Sequence, residues 1–327
     1  MKLVNFRRLS FLLGLTTVVT VVVLATTSKA RLIVRPNELL LLNGFSWQPP
    51  DTASISTDSA GNVVRYGLEL VANTSFYLGP KGSVAQITNG MNCQNCHLDA
   101  GTRLWGNNYS AVFSTYPKFR DRSGTIEDIF KRINDCVERS LNGHPLDGNS
   151  RELRAIAAYI TWLGKEVPRK IKPNGAGIRD LDLPGRAANP ESGREVFMQK
   201  CQRCHGADGQ GKLKDDGLSY TYPPLWGKNS YNQGAGLYRI SRFAGFVRDN
   251  MPFDAPYNSA PLTDEEAWDV AAFVNSQPRP AMDVSKDYPN KASKPFDYPF
   301  APYADNFTEY QHKYGPFQPI RDSRKSK

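Results

Sequence analysis

The chain has 327 residues, enough for about two domains of ordinary size, and 40% of them are hydrophobic, as globular domains require. Its formal charge of +9 falls to +5 once the four cations Lys2, Arg7, Arg8 and Lys29 of the N-terminal segment are set aside, no acid lying among them. No basic run with interleaved aromatics is present, so no nucleic-acid role is implied.

Taken in chain order, residues 1–30 read as an export signal. Lys2, Arg7 and Arg8 give a basic start, Phe11 to Ala25 an apolar run, and Ser28-Lys29-Ala30 a small-x-small cleavage site. The run is nearly long enough to span a bilayer, so an uncleaved membrane anchor is the competing reading. Both readings put the rest of the chain outside the cytoplasm, in the periplasm. From Arg31 to about Ser59 the chain is irregular, with Leu39 to Leu42 packing on the domain that follows. With that lead-in, an N-terminal domain covers 31–167. It contains Cys93-Gln94-Asn95-Cys96-His97 and two amphipathic stretches. One spans Thr125 to Leu141, with Ile126, Ile129, Phe130, Ile133, Val137 and Leu141 on one stripe. The other starts after Ser150, an N-cap residue, and runs to Leu163, burying Leu153, Ile156, Ala157, Ile160 and Leu163.

Residues 168–188, rich in Gly, Pro and charge, read as a linker. A second domain, 189–278, opens with Asn189-Pro190, a cap followed by a proline at the first helical position. Its first helix carries Val196 and Phe197 into Cys201-Gln202-Arg203-Cys204-His205. Its last begins at Thr263, where Glu266 completes a capping box ahead of Val270, Ala271 and Val274. Residues 279–327 lack a helical period but are too aromatic for a free tail, so an irregular extension wrapping the domains is expected. The fold class is all-α, with two class I cytochrome c-like domains.

The two Cys-x-x-Cys-His motifs carry that conclusion. Thiols three residues apart on one turn, Cys93 with Cys96 and Cys201 with Cys204, each add to a haem vinyl group. The adjacent histidine, His97 or His205, then meets the iron. A zinc pair or a redox Cys-x-x-Cys has no need of that histidine in both copies, and no further cysteine pair exists to complete a zinc site. Two covalent haem c groups follow, and their propionates would cancel most of the remaining positive charge.

Each iron needs a ligand on its other face. In the second domain Met251 lies between His205 and the closing helix, and the alternative for it is a core methionine. The first domain has no methionine after His97, and there Cys136 and His144 stand out. Cys136 is the fifth cysteine, left over after haem attachment. Arg132, Cys136 and Ser140 are spaced i, i+4, i+8 and so share one strip of a helix; Arg139 flanks it and Arg122 precedes it. Guanidiniums favour a thiolate and hold small oxyanions by forked hydrogen bonds. The strip therefore reads as an anion-handling site rather than as solvated arginines beside a core cysteine.

At these residues the chain resembles the thiosulfate dehydrogenases, dihaem cytochromes that couple two thiosulfates into tetrathionate. The similarity runs through 73–80, 93–100, 132–143, 224–227 and 311–320; the cysteine segment and the C-terminal segment are its most specific parts. The resemblance implies a catalytic haem ligated by His97 and Cys136, with Arg122, Arg132 and Ser140 binding substrate. It also implies a second haem, ligated by His205 and Met251, that relays electrons to a soluble acceptor such as another c-type cytochrome or a high-potential iron–sulfur protein. Some relatives carry a lysine before this methionine that can replace it; here the residue is Asn250, so plain His–Met ligation is expected. Tetrathionate reduction would use the same site. The competing readings are a non-catalytic electron carrier and a dihaem peroxidase, which would have no use for a thiol beside arginines.

Overall fold

Two pairs of long helices organise the molecule, one pair in each half. The computed structural model describes residues 45–325. The expected export signal and the Leu39 to Leu42 run lie outside the described residues. No helix among the described residues is long and apolar enough to cross a membrane.

In the first half, α1 (Ser59–Ala72) is capped by Asp58, whose carboxylate accepts from Gly61 N, and is followed by a short α2 (Thr74–Leu78). After the first cysteine motif, strands β1 (Lys118–Arg120) and β2 (Thr125–Glu127) form an antiparallel hairpin that leads into α3 (Ile129–Arg139). Helix α4 (Arg151–Gly164) is capped by Ser150, which accepts from Leu153 N at 3.2 Å, and its five expected apolar residues are all buried.

The single helix expected over Thr125 to Leu141 is instead a strand and a shorter helix. Asp128 caps α3 by accepting from Lys131 N at 2.8 Å, which stops the helix from extending backwards. Ile126 pairs with Phe119 across the hairpin and is 74% exposed, and Phe130 is 40% exposed, so the buried stripe reduces to Ile133, Val137 and Leu141, with Ile129 at its edge. A period of 3.6 ran by coincidence across a strand of three residues, and the cap was the stronger local signal.

The second half repeats the plan. Helix α5 (Pro190–Lys200) is capped by Asn189, which accepts from Glu191 N and Ser192 N. Helix α6 (Gln202–His205) carries the second motif, β3 (Lys212–Leu213) and β4 (Tyr220–Tyr222) form a second hairpin, and α7 (Ile240–Asn250) and α8 (Asp264–Ser276) follow. The capping box at the start of α8 is present: Glu266 N donates to Thr263 Oγ1 at 3.1 Å and Thr263 N to Glu266 Oε2 at 2.9 Å.

Each half closes by crossing its first and last long helices at a glycine. A Cβ on Gly67 of α1 would lie 2.0 Å from the Ala155 carbonyl oxygen of α4, and one on Gly193 of α5 would lie 1.9 Å from that of Asp269 on α8. Only glycine lets these backbones approach so closely. The linker is packed rather than free: Trp105 N donates to Gly175 O, Trp268 Nε1 to Asp182 O, and Arg186 forks onto Asp269 at 2.8 and 2.8 Å.

The C-terminal segment is more regular than expected. It contains α9 (Glu309–Tyr314), capped by Thr308, and α10 (Gln318–Lys325), with Phe317 and Ile320 fully buried. Its helices are too short for periodicity to register, and packing holds them instead. The segment touches both halves. Asp287 meets Arg139 of α3, and Asp297 meets Arg239 and the Ser241 N–H and hydroxyl at the start of α7. His312 is buried with Nδ1 against Phe296 O at 2.7 Å and Nε2 against Asp305 at 2.9 Å, stacked on Tyr303.

Two outcomes follow from this packing. Gly67→Ala and Gly193→Ala should each destabilise the holoprotein by about 1–3 kcal/mol through overpacking, measured by denaturant unfolding. Burial pushes the Asp297 carboxyl up, but Arg239 and Ser241 outweigh it and hold it below its ordinary range. Its contribution is therefore complete above the unfolded value of about 4 and lost as pH falls through the lower folded value. Melting temperature should fall on acidification partly through this residue, and Asp297→Asn should remove that part of the acid dependence while lowering stability at neutral pH.

Candidate active site and haem-binding cavities

Both cysteine motifs make a single turn that sets the histidine over the first cysteine. His97 N donates to Cys93 O at 2.9 Å, and His205 N to Cys201 O at 3.1 Å. The first motif sits on a short 3₁₀ turn, Cys93–Asn95, fastened from outside: Cys93 N donates to Thr74 Oγ1 at 2.9 Å, Ser75 N to Asn92 Oδ1 at 2.8 Å, and Gln94 Nε2 to Ala72 O at 2.6 Å. All four motif cysteines are free thiols.

Each histidine is held by its far ring nitrogen. Nδ1 of His97 lies 2.5 Å from Asn107 O and Nδ1 of His205 lies 2.9 Å from Pro223 O. A carbonyl can only accept, so Nδ1 carries the hydrogen in both rings and Nε2 keeps its lone pair for a metal. Burial pushes His97 down to about 4, with the Arg132 charge adding to the effect against the Asn107 bond, so the ring is neutral at neutral pH.

Next to each motif lies a cavity. The first, about 130 Å³, is bounded by Cys93, Cys96 and His97, by Arg132 and Cys136 of α3 and by Ser140 at its C-cap; Leu78, Val112, Ile133, Ile156 and Ile160 make much of the remaining wall apolar, with Thr74, Asn92, Asn107 and Asn108 also at its border. The second, about 470 Å³, is bounded by Cys201, Cys204, His205 and Met251, with Phe197, Phe246 and Val270. Paired free thiols, a histidine presenting Nε2, an apolar wall and a further sulfur are what a covalently attached haem requires, so both cavities fit the group. Asn92 and Cys96 border both cavities, so the two sites share a wall.

The candidate residues divide on inspection. Arg132, Cys136 and Ser140 come together with His97 in the first cavity. The Arg132 guanidinium donates no hydrogen bond to another described residue, and the nearby Cys136 sulfur raises its already high pKa against the opposing effect of burial. Arg122 does not border the cavity; it lies 3.9 Å from Asp287, and its buried Nε has no hydrogen-bond partner among the described residues. Arg139 is committed to Asp287 as well. His144 is exposed and stands outside the cavity, which leaves Cys136 of the two side chains considered there. Asn250 is buried and turned toward Trp105 O at 3.1 Å, while Met251 next to it borders the second cavity.

Sequence reasoning passed over the neighbours of the arginine strip. Tyr116 is buried with its hydroxyl unpartnered among the described residues, and burial raises its pKa. Glu127 is buried 3.8 Å from Arg120. Neither belongs to a motif, and only the fold brings both close enough to act on the charge of Arg132.

A SoxA/TsdA cytochrome c domain model matches residues 83–168, and a cytochrome c model matches 190–278. The chain is 37% identical over 242 residues to a thiosulfate dehydrogenase of Psychrobacter arcticus, covering 74% of this chain and 71% of that protein. It belongs to the thiosulfate dehydrogenase family. A relative from Allochromatium vinosum with the same name is 40% identical over 198 residues, covering 59% of this chain and 72% of its own. Among solved structures, thiosulfate dehydrogenase (TsdBA) from Marichromatium purpuratum matches with a TM-score of 0.66 and 32% identity over 72% of this chain and 50% of that chain. The chain is thus an oxidoreductase of that family, with two cytochrome c domains that each bind a covalent haem c. Replacing Cys93 and Cys96 together by alanine should leave one covalent haem per chain, read from the haemochrome spectrum and the protein mass.

Proposed function

We propose that the chain is exported to the periplasm and oxidises two thiosulfates to tetrathionate in the first cavity. The observation that carries this reading is one cavity holding a thiol, an unpartnered guanidinium and a hydroxyl together with His97. His97 and Cys136 would hold the first iron, and His205 and Met251 the second. When bound, the haems supply one-electron acceptors that pass charge to a soluble protein such as another c-type cytochrome or a high-potential iron–sulfur protein.

The chain's own residues do the rest. Arg132 attracts and orients the thiosulfate dianion, Ser140 donates a hydrogen bond to it, and Arg122 adds positive charge from outside the cavity, beside the end of α3. Two dianions repel, and fixed cations in an apolar setting offset that repulsion and bring the sulfane sulfurs together. The Cys136 thiolate bonds to the sulfane sulfur of the first thiosulfate, giving a Cys136 S-thiosulfonate and releasing two electrons. The sulfane sulfur of the second thiosulfate then attacks the sulfane sulfur of that adduct. The Cys136 bond breaks, the thiolate is restored, and tetrathionate leaves. Every step is formally reversible, so the same residues serve tetrathionate reduction.

A pure electron carrier would have no need of a guanidinium left without a hydrogen-bond partner beside the thiol. Cys136→Ala should abolish thiosulfate-dependent reduction of an artificial acceptor, assayed on haem-loaded protein, while reduction by dithionite persists; retained turnover would sink the covalent route. Arg132→Ala should raise the thiosulfate KM by about tenfold or more, the loss of one charge-assisted contact.

A further inference from the structure

The residue that sets the place of Arg122 lies 165 positions further on, in the C-terminal segment. Asp287 accepts from Arg139 Nη2 on one carboxylate oxygen at 2.7 Å and from Arg139 Nη1 on the other at 2.8 Å. The Tyr298 hydroxyl donates to that second oxygen at 3.1 Å, and Arg122 Nε lies 3.9 Å from it. The segment also grips the Arg122 backbone: Tyr288 N donates to Arg122 O at 2.7 Å. Pro289 packs on the same turn so closely that a Cβ on Gly124 would lie 2.6 Å from its ring.

The charges in this cluster do not balance. Two guanidiniums, both largely buried, face the Asp287 carboxylate, and the forked bond commits it to Arg139; Asp135, the other carboxylate felt by Arg139, is paired with Lys131. Arg122 is left outside hydrogen-bond reach, so the cluster keeps one positive charge for an anion to neutralise. Arg139 directly precedes Ser140, whose side chain borders the cavity with Cys136. Holding Arg139 and Arg122 on one carboxylate therefore places the spare charge at the end of the helix that carries the thiol.

We propose that Asp287, braced by Tyr298, is a positioning residue that presents Arg122 to the incoming thiosulfate, so that the C-terminal segment is part of the active site. This rests on the thiosulfate reading above. Competition between Asp287 and substrate for Arg122 is the opposing effect. It is the weaker one, because the carboxylate charge is already cancelled at hydrogen-bond distance by Arg139. Without Asp287, Arg122 would have to be ordered by the substrate itself, which lowers affinity more than it slows the chemical step.

The test is a double-mutant cycle on haem-loaded protein with thiosulfate and an artificial acceptor. Asp287→Asn should raise KM about tenfold with kcat within about threefold, and Tyr298→Phe should raise KM about threefold. Asp287→Glu should restore most of the loss. In an Arg122→Ala background, Asp287→Asn should raise KM no further, whereas a segment that only stabilises the fold would add its full effect there. Calorimetric titration of thiosulfate into Cys136→Ala, with and without Asp287→Asn, reads the same loss of affinity without turnover. Unchanged or lowered KM in both single variants, or additive effects in the cycle, would overturn the proposal while leaving the thiosulfate reading intact. If Asp287→Asn does not fold, Tyr298→Phe and its own cycle with Arg122→Ala decide. A wild-type protein that neither turns over nor binds thiosulfate would overturn both.

Discussion

One turn of helix separates the Arg132 guanidinium from the Cys136 thiol, and both border a buried cavity lined in large part by leucine, isoleucine and valine. In such surroundings a charge interaction is far stronger than in water, and a cation without a hydrogen-bonding partner is costly until an anion arrives. The rest of the first half serves this placement. Asp128 starts α3 at the residue that puts Arg132, Cys136 and Ser140 on one strip, and the Gly67 crossing seats α4 beneath the cavity floor formed by Ile156 and Ile160.

The second half repeats the architecture without the arginine and thiol pair. Its cavity is bounded by Met91 and Met251, and the charged residues at its border are Lys200, Lys214 and Asp99 rather than an arginine. One fold thus frames two haem cavities that differ in the side chains set along one wall. The common wall at Asn92 and Cys96 keeps the two cavities adjacent.

The C-terminal segment ties these parts together through buried charge. Asp297 is bound to the start of α7 in one half, and Asp287 to the end of α3 in the other. Buried ion pairs of this kind add modest net stability, but losing one partner is expensive, so they hold the segment to a single path across the surface. Aromatic packing does the remainder: Tyr288 against Tyr298, Tyr238 against Phe300, and Phe317 against Trp268.

Sequence alone was informative wherever the deciding chemistry lies within a turn or two. The Cys-x-x-Cys-His spacing, the caps at Ser150, Asn189 and Thr263, and the i, i+4, i+8 strip of Arg132, Cys136 and Ser140 are local relations that backbone geometry enforces. It misjudged the start of α3, where a three-residue strand mimics helical period, and it read the last 49 residues as irregular because their helices are held by contacts rather than by propensity. Only the tertiary structure decided which arginines stay free. Arg122, Arg132 and Arg139 look alike in the sequence, yet Arg139 is claimed by a carboxylate 148 residues away and Arg132 is not. Such a choice depends on where the chain returns after folding, and no short-range pattern carries that information.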